Sequence, residues 1–309
     1  MTHMVSIFAV YIAIFLFGMF TVRIGLETVA KKKLKAALIM FTETPLKGLI
    51  TGTIATGLLQ SSSVVLVLTV GLVASSYLTF KQSIGIILGA NIGTTLTAEI
   101  LTFDIGFFAP FLLIIGVALL FFKRPVLFGT GAFLFGFGCI FVAMGGFETS
   151  AEPLTSLAMV QQLIAQTEGN LFIALGIGTF LTAIIQSSTA VTAIVMGFMT
   201  KNIITLPAGI AIVLGANIGT CVTALLASIG SNVKAKLVAY AHIWLNLFGV
   251  ILFFPFIPIF AAFVQLLASS PDVQIAHASF IFNILTSLLV LPMAGKMSRF
   301  LLKLHHIKD

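Results

Sequence analysis

The chain has 309 residues, of which 59% are hydrophobic and only 8% are charged, and its mean hydropathy is +1.19. Soluble domains carry about 25% charged residues, so this composition excludes a water-soluble globular protein and indicates one that crosses a membrane repeatedly. The net charge of +7 does not indicate nucleic-acid binding, because the basic residues lie at the ends of apolar segments. Both cysteines, Cys139 and Cys221, lie within apolar segments and support neither a disulfide framework nor a metal site.

The apolar runs predict an all-α polytopic membrane protein. Runs of roughly 17 to 25 apolar residues cross hydrocarbon as helices, and the alternation expected of membrane strands is absent from them. The first run lacks the basic start and cleavage site of a signal peptide, so we expect it to be retained as a helix. Seven full crossings are predicted, over 5–22, 83–100, 106–122, 126–146, 203–228, 237–261 and 276–295.

Two further apolar blocks, 45–78 and 171–199, are each interrupted by a polar motif. The first motif is Gln60-Ser61-Ser62-Ser63, and the second is Gln186-Ser187-Ser188-Thr189. In a membrane, a break in a helix is tolerated only inside the protein or beside a water-filled cavity, because the freed backbone groups need partners. We therefore predict that each block folds as an interrupted, re-entrant helical hairpin.

The chain contains an internal repeat. Gln60 corresponds to Gln186 and Asn91 to Asn217, both separated by 126 positions (186 − 60 and 217 − 91). The sequence LGANIGT at 88–94 recurs unchanged at 214–220, and FLFG at 15–18 is echoed at 133–136. Each repeat is predicted to hold a helix, a hairpin and two more helices, and an extra C-terminal helix lies outside the duplication. The predicted bounds within one transmembrane transporter domain, 1–309, are about 5–122 for repeat one, about 126–261 for repeat two and about 276–295 for the extra helix.

The basic residues predict the orientation, since short cytoplasmic loops are enriched in Lys and Arg. When the cluster Lys31–Lys35 is placed inside, the other loop lysines and arginines also fall inside, with the exception of Lys201. The N-terminus is then external, the C-terminus is cytoplasmic, and the two hairpins enter from opposite sides, so that the repeats are inverted. The external loops collect the acidic residues Asp104, Glu148, Glu152, Glu168 and Asp272.

Inverted repeats with broken helices are typical of secondary transporters, which bind substrate near the membrane midplane. Amide and hydroxyl groups coordinate a hard cation through oxygen and hold an oxyanion through N–H and O–H. Neither motif contains Arg or Lys, so a bound anion would need half-helix N-termini or co-bound cations to offset its charge. The candidate binding residues are Gln60, Ser61, Ser62, Ser63, Asn91, Thr94, Thr95, Gln186, Ser187, Ser188, Thr189, Asn217 and Thr220.

The ordered set of motifs resembles the type II sodium/phosphate cotransporter family in its short bacterial form. The resemblance covers essentially the whole chain and includes QSSS and QSST, the paired GANIGT segments, the FLFG-containing helices, and the later AHIWLNLFGV and AHASFIFNIL segments. It implies sodium-coupled movement of inorganic phosphate, and we expect this movement to cross the cell (inner) membrane by alternating access. It also implies that the two motif regions line the phosphate and sodium sites, with sodium as the coupling ion and no other cofactor.

The sequence departs from the family pattern at three points. Thr189 replaces a serine but keeps the hydroxyl, whereas Cys221 stands where repeat one has Thr95, and a thiol is a poor sodium ligand. Many bacterial relatives carry a cytoplasmic regulatory domain after the membrane part. This chain ends at Asp309, so none is expected.

Several alternatives remain open at this point. A passive ion channel or a sodium-coupled carrier of another oxyanion would share the same pseudo-symmetry, and the sequence does not decide whether the chain forms a homo-oligomer. His242 with Asn246 and His277 with Asn283 are interpreted as hydrogen-bonding groups between helices. A hydrolase triad of Ser61 or Ser187 with His242 and Asp104 is set aside, because an enzyme needs one nucleophile rather than two symmetric sets. No enzymatic activity and no nucleic-acid partner are expected.

Overall fold

The computed structural model describes residues 2–103 and 105–305, except for the side chains of residues 2 and 30–35. Asp104, Lys308 and the side chains of Lys31–Lys35, which contribute to the predicted orientation, lie outside the described residues. The described residues form helices joined by turns and contain no strand. The helices are α1 (Thr2–Met40), α2 (Pro45–Leu59), α3 (Ser62–Ala74), α4 (Phe80–Leu101), α5 (Ala109–Leu120), α6 (Pro125–Thr155), α7 (Ala158–Gly169), α8 (Leu171–Ile185), α9 (Ser188–Thr200), α10 (Leu206–Gly219), α11 (Cys221–Ser228), α12 (Val233–Phe253), α13 (Ile257–Gln265), α14 (Pro271–Val290) and α15 (Ala294–Leu304).

The predicted polytopic membrane fold is confirmed. Within the described part of the chain, six helical segments are long and apolar enough to cross a membrane: 3–29, 80–101, 125–155, 206–228, 233–265 and 271–304. The seventh predicted run, 106–122, forms a shorter helix, Gly106–Leu120. Its 15 residues reach roughly 22 Å at 1.5 Å per residue, less than the ~30 Å of a typical hydrocarbon core.

The helix α1 packs antiparallel against α6 at two glycines of the FLFG echo. A Cβ added to Gly18 would lie 2.7 Å from the carbonyl oxygen of Gly136, and one added to Gly136 would lie 2.5 Å from the carbonyl oxygen of Gly18. Further along the same pair, Gly25 meets Gly129, so the residue numbers rise on one helix as they fall on the other. Only glycine permits this reciprocal approach of two backbones. The C-termini of α1 and α6 therefore point in opposite directions.

Each interrupted block folds back on itself. The helices α2 and α4 run parallel, because Gly89 packs on Leu49 near the start of α2, and Gly93 packs on Thr53 one turn further along both helices. The start of α4 therefore lies beside the start of α2, so α3 must return from the break toward the side where α2 begins. The two ends of this hairpin lie at one side, and the break lies at its tip.

The second hairpin repeats the parallel helix packing of the first. Gly215 packs on Leu175 and Gly219 on Thr179, so α8 and α10 are parallel in the same register. Glu168 links the two ends of this hairpin. Its carboxylate accepts hydrogen bonds from the backbone N–H of Thr205 at 2.7 Å and from the Oγ1 of Thr205 at 2.6 Å. Since Glu168 lies in the last turn of α7 and Thr205 precedes α10, the start of α8 is held beside the start of α10.

The helix α14 packs between the two halves, against α4 on one side and against α9 and α10 on the other. Ser287 of α14 donates a hydrogen bond to the carbonyl oxygen of Leu88 at 3.2 Å. The outer sides of the hairpins carry exposed apolar side chains, Ile54 and Leu58 on α2 and their counterparts Phe180 and Ile184 on α8. The polar motifs therefore face the interior of the protein and the apolar sides face outward.

Candidate functional site

Both polar motifs break their helices with the same backbone geometry. Gln60 and Gln186 adopt the left-handed conformation with φ of 52° and 58°, and each ends one helix. The next residue, Ser61 or Ser187, is extended and caps the following helix, since its hydroxyl accepts the N–H of Val64 at 3.4 Å or of Ala190 at 3.2 Å. A capping side chain satisfies one of the free N–H groups at a helix start, and others remain available to a ligand.

The two hairpin tips meet at one cavity of about 190 Å³. Its wall contains all eight residues of the two motifs together with Thr94 and Thr220, the threonines that end the two LGANIGT segments. The helices α3 and α9 therefore begin at the same cavity. Each helix start carries a partial positive charge of about half a unit, which favours an anion.

One wall of the cavity comes from α1 and contains a residue outside the predicted site, Arg23. Leu16, Met19, Phe20 and Arg23 line the cavity at helical spacing. Among the described lining residues, Arg23 is the one with a formal charge. Its Nε donates a hydrogen bond to Oε1 of Glu27 at 2.8 Å. The available signal was an arginine within a helix of the membrane domain, since such residues generally face a cavity or a partner.

A second, much smaller chamber adjoins the cavity and shares Thr94, Ser188 and Thr189 with it. Its volume is about 10 Å³, close to the space of one water-sized sphere. The remaining polar residues of its wall are Thr95, Thr192, Asn217 and Ser279, and no described lining residue is charged. This set offers hydroxyl and amide oxygens, the ligands preferred by a hard cation.

Hydrogen bonds within the helices direct the oxygen atoms of this chamber. Thr94 Oγ1 donates to the carbonyl oxygen of Ala90 at 2.8 Å, and Thr95 Oγ1 donates to that of Ile92 at 2.7 Å. The Nδ2 of Asn217 donates to the carbonyl oxygen of Val213 at 3.3 Å. Because these donors are used within the helices, the hydroxyl lone pairs and the Asn217 Oδ1 are the groups left for a cation.

The counterpart asparagine, Asn91, lines neither the cavity nor the chamber. Its Nδ2 donates to Oδ1 of Asn246 at 3.1 Å, and its Oδ1 lies 3.3 Å from Nε2 of His242. Asn246 in turn donates to the carbonyl oxygen of His242 at 2.9 Å. His242 and Asn246 are 1% and 3% exposed, so Asn91 belongs to a buried network that joins α4 to α12.

The positions that the repeat relates to the chamber wall lack two of its hydroxyl groups. Thr95 corresponds to Cys221, whose Sγ lies 3.4 Å from the carbonyl oxygen of His242, and Thr192 corresponds to Leu66, which is 1% exposed. The two repeats therefore share the polar residues at the hairpin tips but differ in the residues that line the small chamber. Of the predicted site residues, Gln60, Ser61, Ser62, Ser63, Thr94, Thr95, Gln186, Ser187, Ser188, Thr189, Asn217 and Thr220 come together around the cavity and chamber, and Asn91 does not.

A polar contact also joins α4 to α14 at their ends. Nδ1 of His277 lies 3.0 Å from Oε1 of Glu99, and the two side chains are 32% and 23% exposed. Like the network of His242, this pair links two helices, as the sequence interpretation of these histidines predicted. Neither histidine lines the cavity.

Comparison with known proteins identifies the family. The family model described as Na+/Pi-cotransporter matches residues 14–149 and 150–289. A Bacillus subtilis (strain 168) protein named "Uncharacterized protein YqeW" is 39% identical over 288 residues, which cover 93% of this chain and 94% of that protein. No solved structure was found to match the chain.

Two further relatives have names that mention phosphate. The Escherichia coli (strain K12) protein named "Putative inorganic phosphate export protein YjbB" is 28% identical over 94% of this chain, and the match spans 53% of the length of that protein. The Rattus norvegicus protein named "Sodium-dependent phosphate transport protein 2C" is 33% identical over 130 residues, 40% of this chain and 21% of that protein. The resemblance seen in the motifs is confirmed, and the chain belongs to the Na+/Pi-cotransporter family, a family of transporters rather than enzymes.

Proposed function

We propose that the protein carries inorganic phosphate across the cell membrane together with sodium ions, by alternating access. The observation that supports this function best is the meeting of two capped helix starts, at Ser61 and Ser187, on one cavity. Backbone N–H groups and serine hydroxyls are hydrogen-bond donors suited to the oxygens of phosphate.

We propose that sodium occupies the small chamber beside the cavity. Its oxygen-rich, uncharged wall and its volume of about 10 Å³ fit one dehydrated monovalent cation. Thr94, Ser188 and Thr189 belong to both walls, so a cation in the chamber and an anion in the cavity would share these residues. Their opposite charges would make each ion strengthen the binding of the other.

Alternating access follows from the proposed inverted repeats. Because α1 and α6 are antiparallel, the hairpins that follow them start at opposite ends of this helix pair. The 12-residue α7, which lies between α6 and α8, is too short to cross a membrane. Rocking of one half against the other would open the cavity to each side in turn. We further propose an external N-terminus and a cytoplasmic C-terminus, in the cell (inner) membrane.

The test is a sodium jump in liposomes that contain the purified protein. Accumulation of phosphate against its gradient, driven by an imposed sodium gradient and absent with potassium, is the expected result. Phosphate flux that runs only down its gradient and does not depend on sodium would instead indicate a channel. Uptake of sulfate or dicarboxylates in preference to phosphate would indicate a carrier of another anion. Either of these outcomes contradicts the proposed function.

A further inference from the structure

We propose that Arg23 binds the transported oxyanion directly through the terminal nitrogens of its guanidinium group, and that Glu27 holds the arginine in position. This inference rests on the proposed function, because it assigns a ligand of the same cavity. It adds a fixed positive charge to a site whose two polar motifs contain none.

The position of Arg23 on α1 supports this role. It lies on the face of the helix that lines the cavity, one turn beyond Met19 and Phe20. Phe15 and Val22, which are fully buried, lie on the adjoining face of the helix, about 100° around its axis. An arginine within a membrane helix is costly unless it faces water or a partner, and such a residue is generally functional. Here the guanidinium has both, because it borders the cavity and is paired with Glu27.

The hydrogen bonding of Arg23 leaves its anion-binding edge available. Its Nε is committed to Oε1 of Glu27 at 2.8 Å, and its terminal nitrogens make no hydrogen bond to the described residues. A guanidinium group carries five N–H donors in a planar fork and binds phosphate oxygens in pairs. The carboxylate of Glu27 therefore orients the guanidinium and leaves donors for a tetrahedral oxyanion.

The second repeat has no equivalent charge. Arg23 follows Gly18 by five residues, and the residue five positions after Gly136 is Phe141, which is 6% exposed. One guanidinium therefore faces two symmetric helix starts, each of which contributes about half a positive charge. The anion would sit nearer to α1 than the pseudo-symmetry of the motifs alone would place it.

A purely structural ion pair is the competing explanation, and the chain provides a matched control. Lys47 and Glu43 form another pair four residues apart, with Nζ and Oε2 separated by 2.5 Å. This pair is exposed, at 54% and 67%, and does not line the cavity. Lys47→Gln removes a positive charge and an ion pair without touching the proposed site.

The experiment measures phosphate transport in liposomes and equilibrium binding of radiolabelled phosphate in detergent, both in sodium. We expect Arg23→Gln to raise the KM and the dissociation constant for phosphate at least about tenfold, the loss expected for a charge-assisted hydrogen bond. Arg23→Lys should give an intermediate value, because it keeps the charge but loses the paired donors. Lys47→Gln should match the wild type in both measurements.

The outcomes separate this inference from the proposed function. If the wild type carries phosphate and Arg23→Gln or Arg23→Lys has the wild-type KM, the inference is wrong and the function stands. If the wild type carries no phosphate but binds it through Arg23, the function is wrong and the ligand assignment stands. If phosphate binding is absent or equal in wild type and variants, the inference is wrong. Should Arg23→Gln fail to fold, as judged by gel filtration, Arg23→Lys decides the matter.

Discussion

Nε2 of His242 lies 3.3 Å from Oδ1 of Asn91. This contact gives Asn91 a different environment from Asn217, its counterpart in the duplicated LGANIGT segment. Asn91 is held by α12, while Asn217 lines the small chamber beside the cavity. An identical stretch of seven residues is thus placed in two environments. The difference arises from neighbours that are not duplicated, and it predicts that the two asparagines respond differently to the same substitution.

Asn217→Ala should weaken sodium activation of transport, because it removes a proposed oxygen ligand from the chamber. Asn91→Ala should instead lower the thermal stability, since it leaves buried groups of His242 and Asn246 without partners at a cost of about 1–3 kcal/mol. Sodium dependence of phosphate uptake and the thermal unfolding midpoint in detergent are measured for both variants. An equal rise in the sodium requirement for the two substitutions would show that the chamber is not the sodium site.

Ser62 and Ser188 correspond in the repeat, but only Ser188 also lines the small chamber. We expect Ser62→Ala to raise the KM for phosphate with little change in the sodium requirement, and Ser188→Ala to raise both. Ser75→Ala, an exposed position outside the motifs, should leave both unchanged. Effects of the same size at all three serines, after correction for the amount of protein, would remove the assignment of the motifs to the site.

Gly215→Ala should destabilise the second hairpin. The added Cβ would lie 2.0 Å from the carbonyl oxygen of Leu175, so α8 and α10 would have to separate. Overpacking of this kind costs about 1–3 kcal/mol. Gly176→Ala in the same hairpin is the control, because its Cβ would meet nothing within 4 Å. We expect a lower unfolding midpoint for Gly215→Ala only, and equal midpoints for the two variants would contradict the close packing.

Much of this arrangement was predictable because it depends on strong local signals. Four consecutive polar residues in an apolar run predict a break, and the structure places the breaks at Gln60 and Gln186. Glycine permits close helix packing, and Gly89 and Gly215 of the two LGANIGT segments pack on neighbouring backbone. Duplication strengthens the prediction of a break, since the same polar motif interrupts an apolar block at the same place in both repeats.

The remaining features depend on contacts between distant parts of the chain. Nothing near Arg23 in the sequence shows that it meets motifs that begin 37 and 163 positions later (60 − 23 and 186 − 23). The separation of Asn91 from Asn217 is set by α12, outside the matched segments. The helix α1 is also longer than the predicted run 5–22, since it continues to Met40. Hydropathy marks where a helix meets hydrocarbon and carries no information on how far it extends into water.

Glu168→Ala should loosen the base of the second hairpin. The carboxylate accepts two hydrogen bonds from Thr205, one of them from a backbone N–H just before α10. Loss of such a helix-capping acceptor costs about 1 kcal/mol. Glu152→Ala, at an exposed position on α6, is the control. We expect faster amide exchange around 201–206 in Glu168→Ala, and an exchange rate equal to that of the control would show that the carboxylate does not fix the hairpin base.

The apolar side chains on the outer faces of the hairpins would couple the movement of the hairpins to the surrounding bilayer. Ile54, Leu58, Phe180 and Ile184 are each more than half exposed, so we expect lipid chains to pack against the outer side of both hairpins. Any movement of a hairpin must displace lipid as well as protein. The thickness and lateral pressure of the membrane would therefore act on both hairpins and, in the proposed alternating-access cycle, influence the rate at which the cavity opens to either side.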